Sequence, residues 1–215
     1  MIEIQNFVFN AFMENTYVIY DESKEAIIVD PGCYERQEEE ELTSFIESEN
    51  LNVVKLVNTH CHIDHVFGNQ FVKDKYGVGL YIHKADEETL RSVKVYAPAY
   101  GFTNYNEAEA DGYFDVSDTL DFGNSSFEIV FVPGHAPGHI AFINKEQKVC
   151  IGGDVLFDGS IGRTDLPGGN FEQLIQSIHT ELFVLDDDTT VYPGHGGTTT
   201  IGKEKMSNPF CALNK

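Results

Sequence analysis

Basic side chains are scarce in this chain: 14 Lys and Arg stand against 35 Asp and Glu over 215 residues, a formal charge of −21. So acidic a surface repels phosphate backbones and anionic lipid, so neither nucleic acid nor a membrane is an expected partner. Long apolar runs are missing as well. No stretch of 18 apolar residues occurs, which excludes a membrane-spanning helix. The opening residues, Met1-Ile2-Glu3-Ile4-Gln5-Asn6, have neither the basic start nor the apolar stretch of a secretory leader, so a cytoplasmic location is expected. Cys33, Cys61, Cys150 and Cys211 lie far apart with no C-x-x-C pair. That spacing excludes a disulfide scaffold or a zinc knuckle and predicts reduced thiols. There is no G-x-S-x-G segment, and no glycine-rich phosphate loop opens a helix, which weighs against a serine nucleophile and a nucleotide fold. Low-complexity linkers and short repeats are absent too, and one domain over residues 1–215 is expected.

What is present argues for a folded globule: 41% of residues are hydrophobic and 16 are Phe. Residues 2–9, 16–20 and 26–29 read as strands, the last running into the turn Asp30-Pro31-Gly32. The 3/4 spacing of Leu42, Phe45 and Ile46 predicts a helix over 35–49 whose glutamates, Glu38 to Glu41, face water. A strand over 53–57 leads into Asn58-Thr59-His60-Cys61-His62-Ile63-Asp64-His65. Helices are expected over 64–76, stopped by Gly77, over 84–95 and over 170–184; strands over 80–82, 119–122, 127–132, 140–143, 149–152 and 190–192. Strands in both halves, each group followed by helices, suit two packed mixed sheets with helices outside.

Three of eight histidines fall within six residues, as His60-x-His62-x-Asp64-His65. Chance placement gives such a pattern in roughly one chain per thousand. Residues two apart on an extended segment point the same way, so His60 and His62 can converge on one ion. Asp64 and His65 start a helix, whose turn aims them at a neighbouring position. Imidazole with carboxylate is a ligand set for zinc, iron or manganese. His135, Asp154 and His195 each follow a β-rich run, in Pro133-Gly134-His135, Gly152-Gly153-Asp154 and Pro193-Gly194-His195-Gly196. Glycines there let a loop approach a crowded centre.

In these motifs the chain resembles the metallo-β-lactamase superfamily. H-x-H-x-D-H and the three later single residues stand in family order across nearly the whole sequence. The resemblance implies an α+β fold, an αββα sandwich of two mixed β-sheets with helices on the outer faces. It implies two divalent ions, zinc first and iron or manganese as alternatives. His60, His62 and His135 would hold one, Asp64, His65 and His195 the other, and Asp154 would bridge them. The implied nucleophile is a metal-bridging hydroxide, oriented by Asp64 as the catalytic residue. Asp30 is by resemblance a support for a ligand histidine, with a plain turn residue as the other reading.

Pro133-Gly134-His135-Ala136-Pro137-Gly138-His139 resembles the glyoxalase II-like branch, and Gly159-Ser160-Ile161-Gly162-Arg163-Thr164-Asp165 a segment shared with persulfide dioxygenases. The implied activity is hydroxyacylglutathione hydrolase-like cleavage of a small-molecule thioester, an S-acyl thiol. The alternative is a persulfide dioxygenase with one iron on His60, His135 and Asp154, although Leu166-Pro167-Gly168-Gly169 looks more like the hydrolase branch. Antibiotic lactamases usually differ in these segments. Glyoxalase II proper carries a helical domain after its last metal histidine, with basic residues that hold glutathione. Here residues 196–215 contain Lys203, Lys205 and Lys215 but not such a domain, so thioester hydrolysis is the expectation and recognition of glutathione stays open. A binding module that kept only the fold would have no need of an intact ligand set.

Several residues keep two readings. His139 is a structural or outer group, or a further ligand. Arg163 is a partner in a buried ion pair or an anchor for an anionic substrate. Cys61 is packing, or a ligand or redox site. Tyr96, Tyr100, Phe102 and Tyr105 form a flap on the core or line a pocket mouth. His83 and His179 read as ordinary residues.

Overall fold

A computed structural model of the chain describes every residue except Val116, Asn214 and Lys215. Lys215 of the expected C-terminal lysines therefore lies outside the described residues. The chain forms two compact units, Met1–Phe114 with Asp121–Ser126, and Asp115–Leu120 with Phe127–Lys215.

The first unit is a six-stranded mixed sheet in the order β1-β2-β3-β4-β5-β6: β1 (Glu3–Phe9), β2 (Glu14–Tyr20), β3 (Glu25–Val29), β4 (Asn52–Val57), β5 (Leu80–His83) and β6 (Gly112–Phe114). β1, β2 and β3 pair antiparallel, and β3 to β6 pair parallel. The switch follows from the connections. The early strands are joined by tight turns, whereas β3, β4 and β5 are linked through the helices that a parallel crossover needs. Helix α1 (Arg36–Ser48) buries Leu42 and Ile46, as the spacing predicts. Those two join Ile28, Leu56, Val72, Leu80, Ile82 and Leu90 in the unit's core. Truncating one such buried leucine to alanine costs about 2–5 kcal/mol.

Three expectations change in this unit. Residues 64–76 form not one helix but two, α2 (Ile63–Val66) and α3 (Asn69–Tyr76). The break comes at Gly68, whose N–H bonds Pro31 O at 2.7 Å and whose missing Cβ makes room for Cys33 Sγ. Gly77, with φ of 68°, ends α3 as expected. Glu38 does not simply face water. Its carboxylate accepts from Asn10 N (2.6 Å), Tyr34 N (2.7 Å) and Glu35 N (3.0 Å), tying the β1–β2 turn to the helix start. The helix expected over 84–95 opens with a 3₁₀ turn, Lys84–Asp86, before α4 (Glu87–Tyr96).

The second unit is another six-stranded mixed sheet, in the order β14-β13-β10-β9-β8-β7. Its strands are β7 (Thr119–Phe122), β8 (Ser125–Phe131), β9 (Ile140–Asn144), β10 (Val149–Gly153), β13 (Thr190–Pro193) and β14 (Thr199–Thr200), with a separate hairpin β11 (Leu156–Phe157) and β12 (Ser160–Ile161). Among the described residues β10 and β13 pair parallel, and β8, β9 and β10 pair antiparallel. The helix expected over 170–184 is α5 (Phe171–Ser177), capped by Asn170 and continued by a π turn, Ile178–Leu182. Leu174, Ile178 and Leu182 fill the core with Ile143, Cys150 and Val191. Sequence patterning missed β6, the β11–β12 hairpin, β14 and the last helix α6 (Ile201–Ser207); they are too short to show a period. Two mixed sheets with their helices make up the α+β class expected. No helix of the described residues is long and apolar enough to cross a membrane.

Candidate metal centre

In the first unit the donors sit where β4 ends. Asn58 N still bonds the Tyr81 carbonyl of β5 at 3.2 Å, but residues 59–62 lie beyond the strand pairing, so their peptide groups must find other partners. Asp30 supplies one. Its oxygens accept from Thr59 N at 2.7 Å and Thr59 Oγ1 at 2.6 Å, while Asn58 Nδ2 stands 3.3 Å away. Asp30 Oδ2 is also 3.1 Å from His65 Nδ1. That bond makes Nδ1 the donor and turns the Nε2 lone pair outward, the arrangement of a metal-binding histidine held by a carboxylate. Asp30 does this with φ of 50°, a left-handed conformation that aspartate tolerates better than most residues.

The expected convergence is present within this unit. The rings of His60 and His62 are 4.8 Å apart, and those of His60 and His65 are 4.1 Å apart. Candidate ligand atoms of Asp30, His60 and His65 lie within 4.8 Å of one another. Asp64 Oδ2 is 3.8 Å from His65 Nε2. The Asp64 carbonyl accepts from Asn10 Nδ2 at 3.0 Å, which fixes the start of α2 to the β1–β2 turn. Cys61 is fully buried; burial, with the Asp86 charge beside it, pushes its thiol up, so it packs as a neutral group. All four cysteines are buried thiols in no disulfide.

Glu14 was not foreseen. It is buried in β2, accepts from Thr16 Oγ1 at 2.8 Å and stands 3.8 Å from His65 Nδ1. Burial pushes its carboxyl well above the usual range. A charged residue in an otherwise buried strand was the available signal. Tyr96, Phe102 and Tyr105 pack against the core, as the flap reading has it, while Tyr100 stays exposed. Burial, then the negative charge of Asp64, pushes the Tyr96 phenol up to about 12.

In the second unit, His135, Asp154 and His195 follow β8, β10 and β13 on three separate loops. His135 Nε2 is 3.5 Å from Asp154 Oδ2, and His195 Nε2 is 3.6 Å from the same oxygen. Both distances exceed a hydrogen bond. They match the roughly 3.3 Å that separates two ligands on a tetrahedral ion with bonds of about 2.0–2.1 Å. One carboxylate oxygen faced by two imidazole nitrogens thus fits a divalent-metal ligand, and the donor set is chemically right for it.

Backbone holds these residues in place. His135 Nδ1 bonds the Arg163 carbonyl at 2.7 Å, again leaving Nε2 as the ligand nitrogen. Gly134, with φ of 132°, lets this loop lie against Leu174, where a Cβ would come within 2.6 Å of the leucine Cβ. His139 is buried and its Nε2 accepts from Asp154 N at 3.0 Å, an outer support as first read. Arg163 departs from expectation. Its side chain makes a two-pronged pair with Asp165 (2.7 and 2.8 Å), but the pair is exposed and not buried. The Arg163 side chain holds Asp165 down at about 2, and its carbonyl reaches the site. His83 accepts from Ala85 N, and His179 bonds Cys211 O at 2.7 Å; both are ordinary structural residues.

Comparison with known proteins agrees with this chemistry. The profile of the Metallo-beta-lactamase superfamily matches residues 10–195. The hydroxyacylglutathione hydrolase GloC of Haemophilus influenzae is 43% identical over 202 residues, 93% of either chain. Among solved structures, the BLEG-1 B3 metallo-beta-lactamase is 32% identical with a TM-score of 0.84, over 97% of this chain and 99% of that one. TTHA1623, solved in a di-iron-bound form, is 30% identical with a TM-score of 0.85, over 96% and 99%.

Proposed function

The chain belongs to the metallo-beta-lactamase superfamily of metal-dependent hydrolases, and from that membership we propose that it cleaves a small-molecule thioester, an S-acyl thiol, at a dinuclear centre within a single hydrolase domain. The observation that carries the reading is Asp154 Oδ2 with the two imidazole nitrogens at 3.5 and 3.6 Å, an arrangement suited to a bridging ligand. His60, His62 and His135 are proposed for one ion and Asp64, His65 and His195 for the other. Zinc is proposed on the ligand types, with iron as the second choice that the di-iron relative favours.

When bound, two divalent ions would acidify a shared water and polarise the substrate carbonyl. The protein's own task is placement. Asp30 and the Arg163 carbonyl fix the tautomers of His65 and His135, so that each presents Nε2. Asp64 orients the attacking water with its carboxylate. Asp154 is held from its own backbone by His139. A thiolate leaving group has a pKa near 8.5 and needs little acid assistance, which agrees with the absence of any serine nucleophile motif.

The test is elemental analysis of protein purified without added metal or chelator, followed by turnover of a thioester panel beside a β-lactam. About two zinc per chain with thioester turnover sustains the proposal. One iron per chain with oxygen uptake on a persulfide replaces it with the dioxygenase reading. Faster β-lactam than thioester hydrolysis replaces it with the activity of the BLEG-1 relative.

A further inference from the structure

The peptide nitrogens on either side of His60 are each held by a buried carboxylate. Thr59 N donates to Asp30 Oδ1 at 2.7 Å, and Cys61 N donates to Asp86 Oδ2 at 2.5 Å. Asp30 has a counterpart in the family pattern. Asp86 was singled out by neither motif nor spacing; with Glu87 and Glu88 it lies in the first turn of the helix expected over 84–95, where an acidic side chain suits the helix dipole.

Asp86 occupies the N-cap position of α4, yet its side chain accepts no capping hydrogen bond from the helix backbone. It is fully buried and reaches 25 residues back along the chain to the ligand segment. Its second oxygen accepts from Thr89 Oγ1 at 3.0 Å, and the Cys61 thiol lies against the same carboxylate. A buried carboxylate has lost its water and is stable only where donors replace it. Here the donors come largely from Cys61, the single residue between His60 and His62. Because residues 59–62 lie in no sheet ladder, nothing in the strand pairing holds that peptide in orientation. Turning it would rotate both imidazoles, now 4.8 Å apart, away from a common ion.

We infer that Asp86 is a positioning residue for the metal ligands His60 and His62, acting through the Cys61 peptide and keeping the Cys61 side chain turned from the centre. The inference rests on the proposed metal centre but not on the identity of the substrate.

Cobalt(II) loading tests it, because the visible spectrum reports ligand geometry without any turnover. Asp86→Ala is expected to shift the cobalt absorption and to weaken cobalt binding by about 10–100-fold, the usual effect of losing a support behind a ligand. Asp86→Asn should restore both to within about threefold, since its amide oxygen still accepts from Cys61 N and its NH₂ can donate to the Thr89 hydroxyl. Thr89→Val should leave both unchanged. An Asp86→Ala protein with the wild-type spectrum and affinity overturns the inference. So does a Thr89→Val protein that reproduces the loss, for the effect would then arise from the helix start. If Asp86→Ala does not fold, Asp86→Glu, which keeps the charge but overshoots the Cys61 nitrogen, carries the same two readings. Failure of thioester turnover with these cobalt results intact would sink the proposed substrate alone.

Discussion

In the first unit four donor residues fall within His60 to His65, on one short segment that runs into α2, and in the second three are spread from His135 to His195 over three loops. The supports differ in kind as well. Asp30 and Asp86, both buried side chains, hold the first group through Thr59, His65 and Cys61. In the second, the Arg163 carbonyl holds His135, and the Asp154 N–H is tied to His139. A compact motif needs outside side chains to orient neighbours that share one short backbone. Donors on separate loops can be aimed by the loops themselves, and glycines then matter more than carboxylates.

The sharpest way to break this contrast is to remove one donor from each unit. Asp154→Ala and His60→Ala should each lower kcat/KM on the best thioester by on the order of 10³-fold, because each takes away transition-state stabilisation worth several kcal/mol. If steady-state kinetics show only one of them to matter, the two groups do not serve one centre.

Next in size is the support itself. Asp30→Ala should cost about 10–100-fold in metal affinity, measured by competition with a chromophoric chelator. Arg163→Ala should change it less than about twofold, since the carbonyl remains and the lost pair with Asp165 is exposed. Equal losses would erase the distinction between side-chain and backbone support.

Gly162→Ala attacks the second unit where it is vulnerable. A Cβ there would collide with the Asp154 carbonyl and approach His135 Nδ1 to 2.9 Å. Urea unfolding should show a loss of about 1–3 kcal/mol, and a neutral result would mean that these loops give way more easily than packed cores do.

The smallest expected effect concerns acid. Asp21, buried in the first unit, accepts from Ser23 N at 2.9 Å, Asn124 N at 2.7 Å and Ser125 Oγ at 2.8 Å. Burial alone would raise its carboxyl, but the bonds from Ser23, Ser125 and Asn124 hold it down at about 2. A depressed folded pKa means that the stabilisation is complete above pH 4 and is lost as pH falls through about 2. The amount is about 2 kcal/mol. Asp21→Asn should flatten that part of the pH–stability curve; a curve as steep as the wild type's would place the acid sensitivity elsewhere.

How far the chain could be read without coordinates varied with the length of the signal. Long periodic segments such as α1, β4 and β8 stood out, because burial imposes a period that sequence displays. The helix expected over 64–76 hid its break, since what divides it is the contact of Gly68 with Pro31 and Cys33, far away in the chain. Strands of two or three residues, such as β6 and β14, carry no period at all.

Seven donors could be proposed from sequence because metal chemistry demands particular residue types, and those types are visible one letter at a time. Sequence alone also determined the order of the longer strands and helices. Resemblance marked Asp30 as a support for a ligand histidine; only the tertiary structure decided which histidine it holds, and added Asp86 and the Arg163 carbonyl. Asp30 reaches His65 across 35 residues, Asp86 reaches Cys61 across 25, and the Arg163 carbonyl reaches His135 across 28. A hydrogen bond needs two atoms within about 3 Å and no particular spacing in the chain, so such partners leave no periodic trace and become identifiable only when folding brings them together.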